Sequence, residues 1–227
     1  MNNTLLYRYV DLTSLKEDDT LQSIKLLCER GIQHQVAAIC VYPQFVAAAK
    51  KNLAGSHINI VTVANFPTGL ENETHILNTI DQALQDGADE IDVVFPYSNY
   101  LTSEKISSLA LVRRCKETCG QKTLKVIVES GAFSDDHVLL TVCQEIIDNG
   151  ADFLKTSTGK IPIGATLNSA KILLEAIKST GNRVGFKASG GIRTFAAVQQ
   201  YKALAETLLT PAWVTTRHFR IGTNCLI

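Results

Sequence analysis

The sequence Gly-Ala-Asp-Phe-Leu-Lys at residues 150–155 repeats the pattern of Gly-Ala-Asp-Glu-Ile-Asp at residues 87–92. In each copy a glycine follows a helical segment and leads into a short apolar run. The sixth position of the pattern is charged in both copies, as Lys155 in one and Asp92 in the other. Equivalent positions in two repeating units predict that both charges lie at the same end of the same kind of strand.

Eight runs with strand character alternate with helical segments along the 227 residues. Their continuous apolar character is typical of parallel strands that are covered by crossover helices. The predicted strands lie within residues 9–13, 36–42, 58–64, 87–96, 124–128, 151–155, 183–187 and 219–222. No linker rich in Pro, Gly or Ser divides the chain, so the pattern predicts one domain over residues 1–227. Eight such units favour a (β/α)8 TIM barrel over an open doubly wound sheet, and no Gly-x-Gly-x-x-Gly follows the first strand.

The composition is that of a globular protein, with 45% hydrophobic residues, 19% charged residues and a formal net charge of zero. No basic run indicates nucleic acid or an anionic membrane as a partner. No segment has the length of a membrane span, and the N-terminus lacks the apolar core of a signal peptide. The six cysteines and five histidines show no zinc-ligand spacing, so no metal is expected. Unpaired thiols without an export signal predict a cytoplasmic protein.

Four charged residues lie within or at the ends of predicted strands, namely Asp11, Asp92, Lys155 and Lys187. In a TIM barrel the carboxyl ends of the strands form the active site. Each charge alone fits a solvent-exposed strand end or a buried ion pair, but four on four strands favour a functional cluster. Two lysines and a carboxylate suit carbonyl chemistry through an imine, because a neighbouring ammonium lowers the pKa of the attacking amine.

Loops of small residues follow three consecutive predicted strands and could bind an anion through their backbone N–H groups. One such loop alone would be only a tight connection, but three, of which one carries a lysine, indicate a phosphate site. The predicted binding residues are Thr158, Gly159 and Lys160 after strand six, Gly190 and Gly191 after strand seven, and Gly222 and Asn224 after strand eight. Glu129, Arg193 and His218 are expected to have structural roles.

These residues closely resemble those of the deoxyribose-phosphate aldolases, a family of class I (Schiff-base) aldolases. Two segments are highly specific for that family, Lys-Thr-Ser-Thr-Gly-Lys at 155–160 and Phe-Lys-Ala-Ser-Gly-Gly-Ile-Arg-Thr at 186–194. The matching blocks follow the family's order along nearly the whole chain, at residues 11–13, 38–43, 87–97, 124–131, 150–160, 184–194 and 217–223.

The resemblance implies that Lys155 forms the imine, that Lys187 is the ammonium that tunes it, and that Asp92 relays protons. Asp11 would support Lys187. The resemblance also implies reversible cleavage of 2-deoxy-D-ribose 5-phosphate to D-glyceraldehyde 3-phosphate and acetaldehyde, with no metal or organic cofactor. Family members act in deoxynucleoside breakdown in the cytoplasm, commonly as homodimers.

Two features depart from the family pattern. Asn224 and Cys225 stand where relatives have small hydroxyl residues, and a thiol is a weak donor, so a looser hold on phosphate is expected. The sequence ends five residues beyond Gly222, whereas relatives continue into a helix over strands eight and one. Most of the last helix is therefore expected to be missing, which would expose an apolar flank. Two alternatives stay open: a catalytically impaired barrel that binds sugar phosphates, and another class I aldolase or transaldolase.

Overall fold

The computed structural model describes residues 3–102 and 104–225. Eight strands form a closed parallel barrel in which each strand pairs with its neighbours in the sequence and the last closes on the first. The strands are β1 Val10–Thr13, β2 Ala38–Val41, β3 Asn59–Ala64, β4 Glu90–Val94, β5 Thr123–Ile127, β6 Phe153–Lys155, β7 Gly185–Ser189 and β8 Phe219–Thr223. The predicted TIM barrel is confirmed.

Helices connect successive strands and cover the outside of the barrel. They are α1 Leu21–His34, α2 Val46–Asn52, α3 Glu73–Gln85, α4 Tyr97–Thr102, α5 Lys105–Cys119, α6 Asp136–Asp148, α7 Leu167–Ser179 and α8 Phe195–Leu208, with short 3₁₀ segments at Asn3–Tyr9, Pro43–Phe45 and Ser130–Ala132. None of the described helices has the length and apolar character needed to cross a membrane.

The predicted strands agree with the observed ones to within a few residues. The largest shift along a whole strand is in β7, which begins and ends two residues later than the predicted range 183–187. The predicted strand ends at residue 187, but Ala188 and Ser189 also belong to β7, because they pair with Ile221 and Gly222 of β8. The inward side chain of Lys187 consequently lies in the middle of β7 rather than at its end.

A capping box at the start of α1 orders the loop that follows β1. The Thr20 hydroxyl accepts the Ser23 backbone N–H at 3.2 Å, and the Ser23 hydroxyl accepts the Thr20 N–H at 2.9 Å. Asp19 accepts a hydrogen bond from the Ser14 hydroxyl at 2.8 Å. These local bonds hold residues 14–16 beside the carboxyl end of the barrel.

The barrel interior is divided into an apolar part and a charged part. Strands β2 and β3 contribute a small apolar cluster of Ala38, Cys40, Val61 and Val63. The other six strands contribute seven buried charged side chains, which are Asp11, Glu90, Asp92, Lys125, Lys155, Lys187 and Arg220. Branched apolar residues usually fill a TIM barrel, so this concentration of buried charge distinguishes the part of the interior that is lined by β1 and β4 to β8.

The flank formed by β8 and β1 is covered, and the expectation of an exposed apolar flank is wrong. No helix follows β8 in the described residues. The outward side chains of the two strands are nevertheless fully buried: Val10, Leu12, Phe219 and Ile221. The N-terminal 3₁₀ segment lies over them, with the Tyr7 ring 4.6 Å from the ring of His34 in α1 and 5.1 Å from that of Phe195 in α8. This segment therefore closes the gap between α8 and α1.

Candidate active site

Asp92 on β4 lies at the centre of the buried charges and contacts three lysines. Lys155 Nζ and Lys187 Nζ each donate to Asp92 Oδ2 at 2.8 Å, and Lys125 Nζ donates to Oδ1 at 2.9 Å. Burial opposes ionisation of this carboxyl, but the three ammonium groups outweigh burial and hold the pKa of Asp92 well below its ordinary value. Asp92 is therefore a carboxylate at neutral pH.

Lys187 on β7 is held as an ammonium by two carboxylates. Its Nζ lies 2.5 Å from Asp11 Oδ2 and 2.8 Å from Asp92 Oδ2. Burial favours the neutral amine, but Asp11 and Asp92 outweigh burial and raise the pKa of Lys187. Gly222 on β8 leaves room for this side chain, because a Cβ there would lie 2.9 Å from Ser189 Cβ and 3.1 Å from Lys187 Cε.

Lys155 differs from the other two lysines around Asp92 because its pKa is lowered, whereas theirs are raised. Burial is the largest cause, and the positive charge of Lys187 adds to it against the attraction of Asp92. The neighbouring ammonium that sequence reasoning put forward is thus the lesser of the two causes. Lys155 ends β6 and borders a cavity. A neutral amine that faces a cavity can attack a carbonyl carbon.

Three further charged residues extend the network toward the amino ends of the strands, and sequence reasoning missed them. Lys125 contacts both Glu90 and Asp92. Arg220 Nη1 lies 2.7 Å from Asp11 Oδ1, and its Nη2 lies 3.0 Å from Glu90 Oε1. The available signal was the strand period of two, which places Glu90 on the same inward face as Asp92. Lys125 is also the register partner of Asp92.

The network contains four cationic side chains and three carboxylates, so it carries one positive charge when all seven are ionised. Release of one proton leaves it neutral. Lys125, Lys187 and Arg220 have raised pKa values, whereas that of Lys155 is lowered. The network therefore releases its surplus proton most readily from Lys155.

A cavity of about 260 Å³ opens beside Lys155 at the carboxyl ends of β1, β6, β7 and β8. All seven residues that the sequence predicts for phosphate line it: Thr158, Gly159, Lys160, Gly190, Gly191, Gly222 and Asn224. Lys16 and Arg193 line it as well and add positive charge. In the part of the chain that the structure describes, no three His, Cys, Asp or Glu side chains are grouped as metal ligands.

Close packing between the loops after β6 and β7 shapes this cavity. A Cβ on Gly164 would lie 2.4 Å from the carbonyl oxygen of Gly190, which is backbone and cannot move aside easily. Gly190 also has a φ of 90°, in the left-handed region that favours glycine. Its carbonyl accepts the Ala165 N–H at 3.0 Å. A larger residue at 164 or 190 would force the two loops apart.

Glu129, which follows β5, fixes the first part of the loop after β6. Its buried carboxylate accepts the Thr158 hydroxyl at 2.5 Å and the Thr158 backbone N–H at 3.3 Å. The Thr158 hydroxyl oxygen accepts the Lys160 N–H at 3.0 Å, and Lys160 Nζ donates to the Leu15 carbonyl at 2.9 Å. Burial raises the pKa of Glu129, although the bonds from Thr158 oppose it. The structural role expected for Glu129 is therefore the placement of this loop.

A closed parallel barrel with a buried lysine of lowered pKa at its carboxyl mouth is the arrangement of a barrel aldolase, which needs an amine beside a substrate cavity. The family model for DeoC/LacD family aldolases matches residues 5–210. The chain belongs to this family.

Solved aldolase structures share the fold over nearly the whole chain. QR15, described as an aldolase, is 26% identical with a TM-score of 0.85, and the match covers 96% of this chain and 91% of QR15. A provisionally named deoxyribose-phosphate aldolase from Coccidioides immitis is 25% identical with a TM-score of 0.84, covering 99% and 83%. The tetrameric deoxyribose phosphate aldolase of Aeropyrum pernix is 25% identical with a TM-score of 0.78, covering 98% and 88%.

Proposed function

We propose that the protein is a deoxyribose-phosphate aldolase that cleaves 2-deoxy-D-ribose 5-phosphate reversibly to D-glyceraldehyde 3-phosphate and acetaldehyde. The observation that carries the proposal is the lowered pKa of Lys155, next to Asp92 and Lys187 and at the edge of a cavity with phosphate-binding character. The names of the related structures from Coccidioides immitis and Aeropyrum pernix support this substrate.

In the cleavage direction, the neutral Lys155 amine attacks the C1 aldehyde carbon of the open-chain sugar. The carbinolamine takes up a proton from solvent and loses water, which gives a protonated imine whose positive charge lies beside the Asp92 carboxylate. The imine then acts as an electron sink. The C2–C3 bond breaks, its electron pair moves toward the imine nitrogen to form an enamine, and the C3 hydroxyl loses its proton as the new carbonyl forms. Glyceraldehyde 3-phosphate is released first.

Asp92 relays the protons, through a water molecule, between the C3 hydroxyl and the enamine carbon. In the resting site three ammonium groups stabilise its ionised form and make it a weak base. When the C2–C3 bond breaks, the protonated imine becomes a neutral enamine, so the nitrogen of Lys155 no longer carries a positive charge and Asp92 Oδ2 becomes a better proton acceptor. Protonation of the enamine carbon and hydrolysis of the imine then release acetaldehyde and restore Lys155. Asp11 keeps Lys187 charged throughout.

The 5-phosphate group would lie at the far side of the cavity from Lys155. Lys160 supplies an ammonium, and the backbone N–H groups of Gly190, Gly191 and Gly222 supply donors that small residues leave accessible. The Asn224 amide can donate where relatives have a hydroxyl. We expect that Asn224, in place of the hydroxyl residue of relatives, preserves phosphate binding with lower affinity.

Chemical trapping tests the role of Lys155. Folded protein would be incubated with acetaldehyde and sodium borohydride, and peptide mass mapping would locate the reduced adduct. We expect the adduct on Lys155, with retro-aldol activity lost in Lys155→Ala. Lys122→Ala serves as the control, because it removes an exposed lysine at the amino end of β5. This variant should retain both the adduct on Lys155 and the retro-aldol activity. No adduct on Lys155 in folded protein would exclude the imine mechanism.

The two alternatives make different predictions for turnover. Another class I aldolase or a transaldolase would prefer fructose phosphates to deoxyribose 5-phosphate. A barrel that only binds sugar phosphates would bind glyceraldehyde 3-phosphate in a calorimeter without turning over any aldol. The second alternative was suggested by the expectation of an exposed flank beside β8 and β1. The N-terminal 3₁₀ segment covers that flank, which favours the aldolase activity.

The cellular role follows from the same proposal. A deoxyribose-phosphate aldolase of this kind would act in deoxynucleoside breakdown, in the cytoplasm, without a metal or an organic cofactor. We infer a homodimer from the resemblance to the family, while the Aeropyrum pernix relative is described as a tetramer. Light scattering coupled to size-exclusion chromatography would distinguish a monomer, a dimer and a tetramer.

A further inference from the structure

A second cavity lies at the opposite end of the barrel from the substrate cavity. It has a volume of about 500 Å³, compared with about 260 Å³ for the cavity beside Lys155. Its walls come from the N-terminal 3₁₀ segment, the end of α1, and the segments that lead into β2, β3 and β8. None of the residues assigned above to catalysis or to phosphate binding lines it. We refer to it as the rear cavity.

The rear cavity is lined by basic side chains and by no described carboxylate. The basic residues are Arg8, His34, His57 and Arg220. Arg8 is exposed and forms no ion pair with a carboxylate among the described residues, and its guanidinium carbon lies 5.6 Å from the centre of the Tyr9 ring. A concave surface with charge of one sign attracts and concentrates ions of the opposite sign. The lining therefore favours an anionic ligand.

Arg220 gives this cavity a rigid wall that carries N–H donors. The side chain is only 7% exposed, and its Nη1 and Nη2 atoms are fixed by Asp11 and Glu90. Its Nε donates to the Thr216 carbonyl at 2.5 Å. A guanidinium has five N–H donors, so two donors remain beyond these three contacts. Their direction is set by the contacts already made, which lowers the entropic cost of binding a ligand.

We propose that the rear cavity binds a phosphate group, with Arg8 and His57 at the rim and Arg220 deeper in the wall. The planar fork of an arginine matches the oxygen geometry of phosphate, and an imidazole offers an N–H donor in either protonation state. The volume lies in the range of small-molecule sites, so the group could be free phosphate or part of a phosphomonoester. The site is independent of the substrate phosphate, which lies at the other end of the barrel.

Equilibrium dialysis with radiolabelled inorganic phosphate tests this proposal. The Lys160→Gln protein is the reference, because that change weakens phosphate binding in the cavity beside Lys155 and leaves the residues of the rear cavity unchanged. Adding Arg8→Gln and His57→Gln should weaken the remaining phosphate binding at least about tenfold, since two hydrogen bonds from side chains that can carry a positive charge are lost. Arg8→Lys, which keeps the charge without the fork, should lose less. Both altered residues are exposed, so thermal unfolding should be unchanged.

The matched control is Arg183→Gln, which removes an exposed arginine near the start of β7, at the same end of the barrel but outside the cavity. Retained phosphate binding in this control supports a specific site. Unchanged binding in the Arg8 and His57 variant, or equal weakening by Arg183→Gln, would overturn the proposal. Affinities for phosphate and glycerol 1-phosphate assign the ligand, because tighter binding of the ester indicates a phosphomonoester and equal or weaker binding indicates the free ion.

Chemical protection provides a measurement that needs no change in the rear cavity. Phenylglyoxal modifies exposed guanidinium groups, and peptide mass mapping of the Lys160→Gln protein would follow Arg8 and Arg183 separately. We expect phosphate to slow the modification of Arg8 and to leave that of Arg183 unchanged. Equal rates at Arg8 with and without phosphate would contradict the proposed site. Neither experiment depends on aldolase turnover, so its outcome is separate from that of the proposed function.

Discussion

Lys155 and Lys187 donate to the same oxygen of one carboxylate, Asp92 Oδ2, each at 2.8 Å. They are also register partners on the neighbouring strands β6 and β7. Their pKa values nevertheless move in opposite directions, because Lys187 has a second carboxylate in Asp11, whereas burial and the charge of Lys187 outweigh the single carboxylate beside Lys155. Asp92 therefore contacts both Lys155, the potential nucleophile, and Lys187, an ammonium that stays charged.

Replacing Lys187 with Met tests this division of roles. The change removes a positive charge that helps burial to lower the pKa of Lys155. We expect that pKa to rise, so the acid limb of the pH profile for borohydride trapping should move to higher pH. At a pH below the limb, trapping should fall about tenfold for each unit by which the pKa rises. The measurement is the trapping rate as a function of pH.

The control for that variant is Lys125→Met, which also removes a buried ammonium from Asp92 but from its other oxygen. Loss of one partner from a buried ion pair costs about 3–5 kcal/mol, so both variants should be less stable than the parent. Only Lys187→Met should shift the acid limb strongly, because Lys187 is the main cation near Lys155. Equal shifts in the two variants would contradict the assigned role of Lys187.

Acid should destabilise the protein through its buried carboxylates. The pKa of Asp11 is lowered, because Lys187 and Arg220 together outweigh the effect of burial. A group whose pKa is lower in the folded state stabilises that state above its unfolded pKa of about 3.9, and this contribution is lost as the pH falls toward the folded value. We expect it to be on the order of 2–3 kcal/mol.

Urea unfolding of the parent and of Asp11→Asn between pH 7 and pH 3 measures that contribution. The asparagine variant should be less stable at pH 7, where the parent's carboxylate is ionised and paired. The difference in the free energy of unfolding should shrink below about pH 4, because the unfolded parent then takes up a proton at this position that the folded Asp11 does not. A difference that stays constant over this range would show that the charge of Asp11 does not stabilise the fold.

The barrel could be predicted from the sequence because its signals are local and repeated. Each buried strand is an apolar run bounded by turn residues, and the repeat at residues 87–92 and 150–155 places two strands in equivalent units. Asp92 and Lys155 can be recognised because they hold the same position in the two copies of this repeat. Lys125 and Arg220 were missed because one charge inside a short strand is equally consistent with an outward, solvated side chain.

The covered flank could not be predicted, because it depends on contacts between distant parts of the chain. Tyr7 packs against Phe195, and the Tyr9 ring lies 5.5 Å from that of Phe219. No local pattern links these positions. The role of Glu129 in fixing the loop after β6 could not be predicted for the same reason, since its partner Thr158 is distant in sequence and follows the neighbouring strand.

Tyr7→Ala tests whether the N-terminal 3₁₀ segment stabilises the barrel. The ring contacts both α1 and α8, and its removal would leave their junction open. We expect a loss of about 1–3 kcal/mol in the free energy of unfolding, from lost burial and lost aromatic contacts. Tyr7→Phe keeps the ring and should lose much less. If the alanine variant unfolds at the same urea concentration as the parent, the segment does not secure the flank.

Lys160→Met tests the assignment of the phosphate end of the cavity. The change removes an ammonium that lines the cavity and is tied to the Leu15 carbonyl. A hydrogen bond to a charged group is worth about 1.5–3 kcal/mol, so KM for 2-deoxyribose 5-phosphate should rise about ten- to a hundredfold. Turnover of 2-deoxyribose, which has no phosphate, should change little. Equal losses on both substrates would place Lys160 outside the phosphate site.

Glu129→Gln tests whether the β6 loop must be held in place for substrate binding. Glu129 accepts two hydrogen bonds from Thr158, whose hydroxyl also accepts the Lys160 N–H. An amide can accept only through its oxygen, so we expect a looser loop and a KM about tenfold higher with kcat nearly unchanged. Thr158→Val should have the same effect, and Thr158→Ser should restore binding because it keeps the hydroxyl.

Combining Glu129→Gln with Thr158→Val provides the sharper comparison. Because the two side chains are joined by a single hydrogen bond, the double variant should be little worse than either single variant. Additive losses would mean that the residues support the cavity independently. A fall in kcat with KM unchanged would give Glu129 a part in proton transfer near Lys155, whose positive charge acts on its carboxylate, rather than in loop placement.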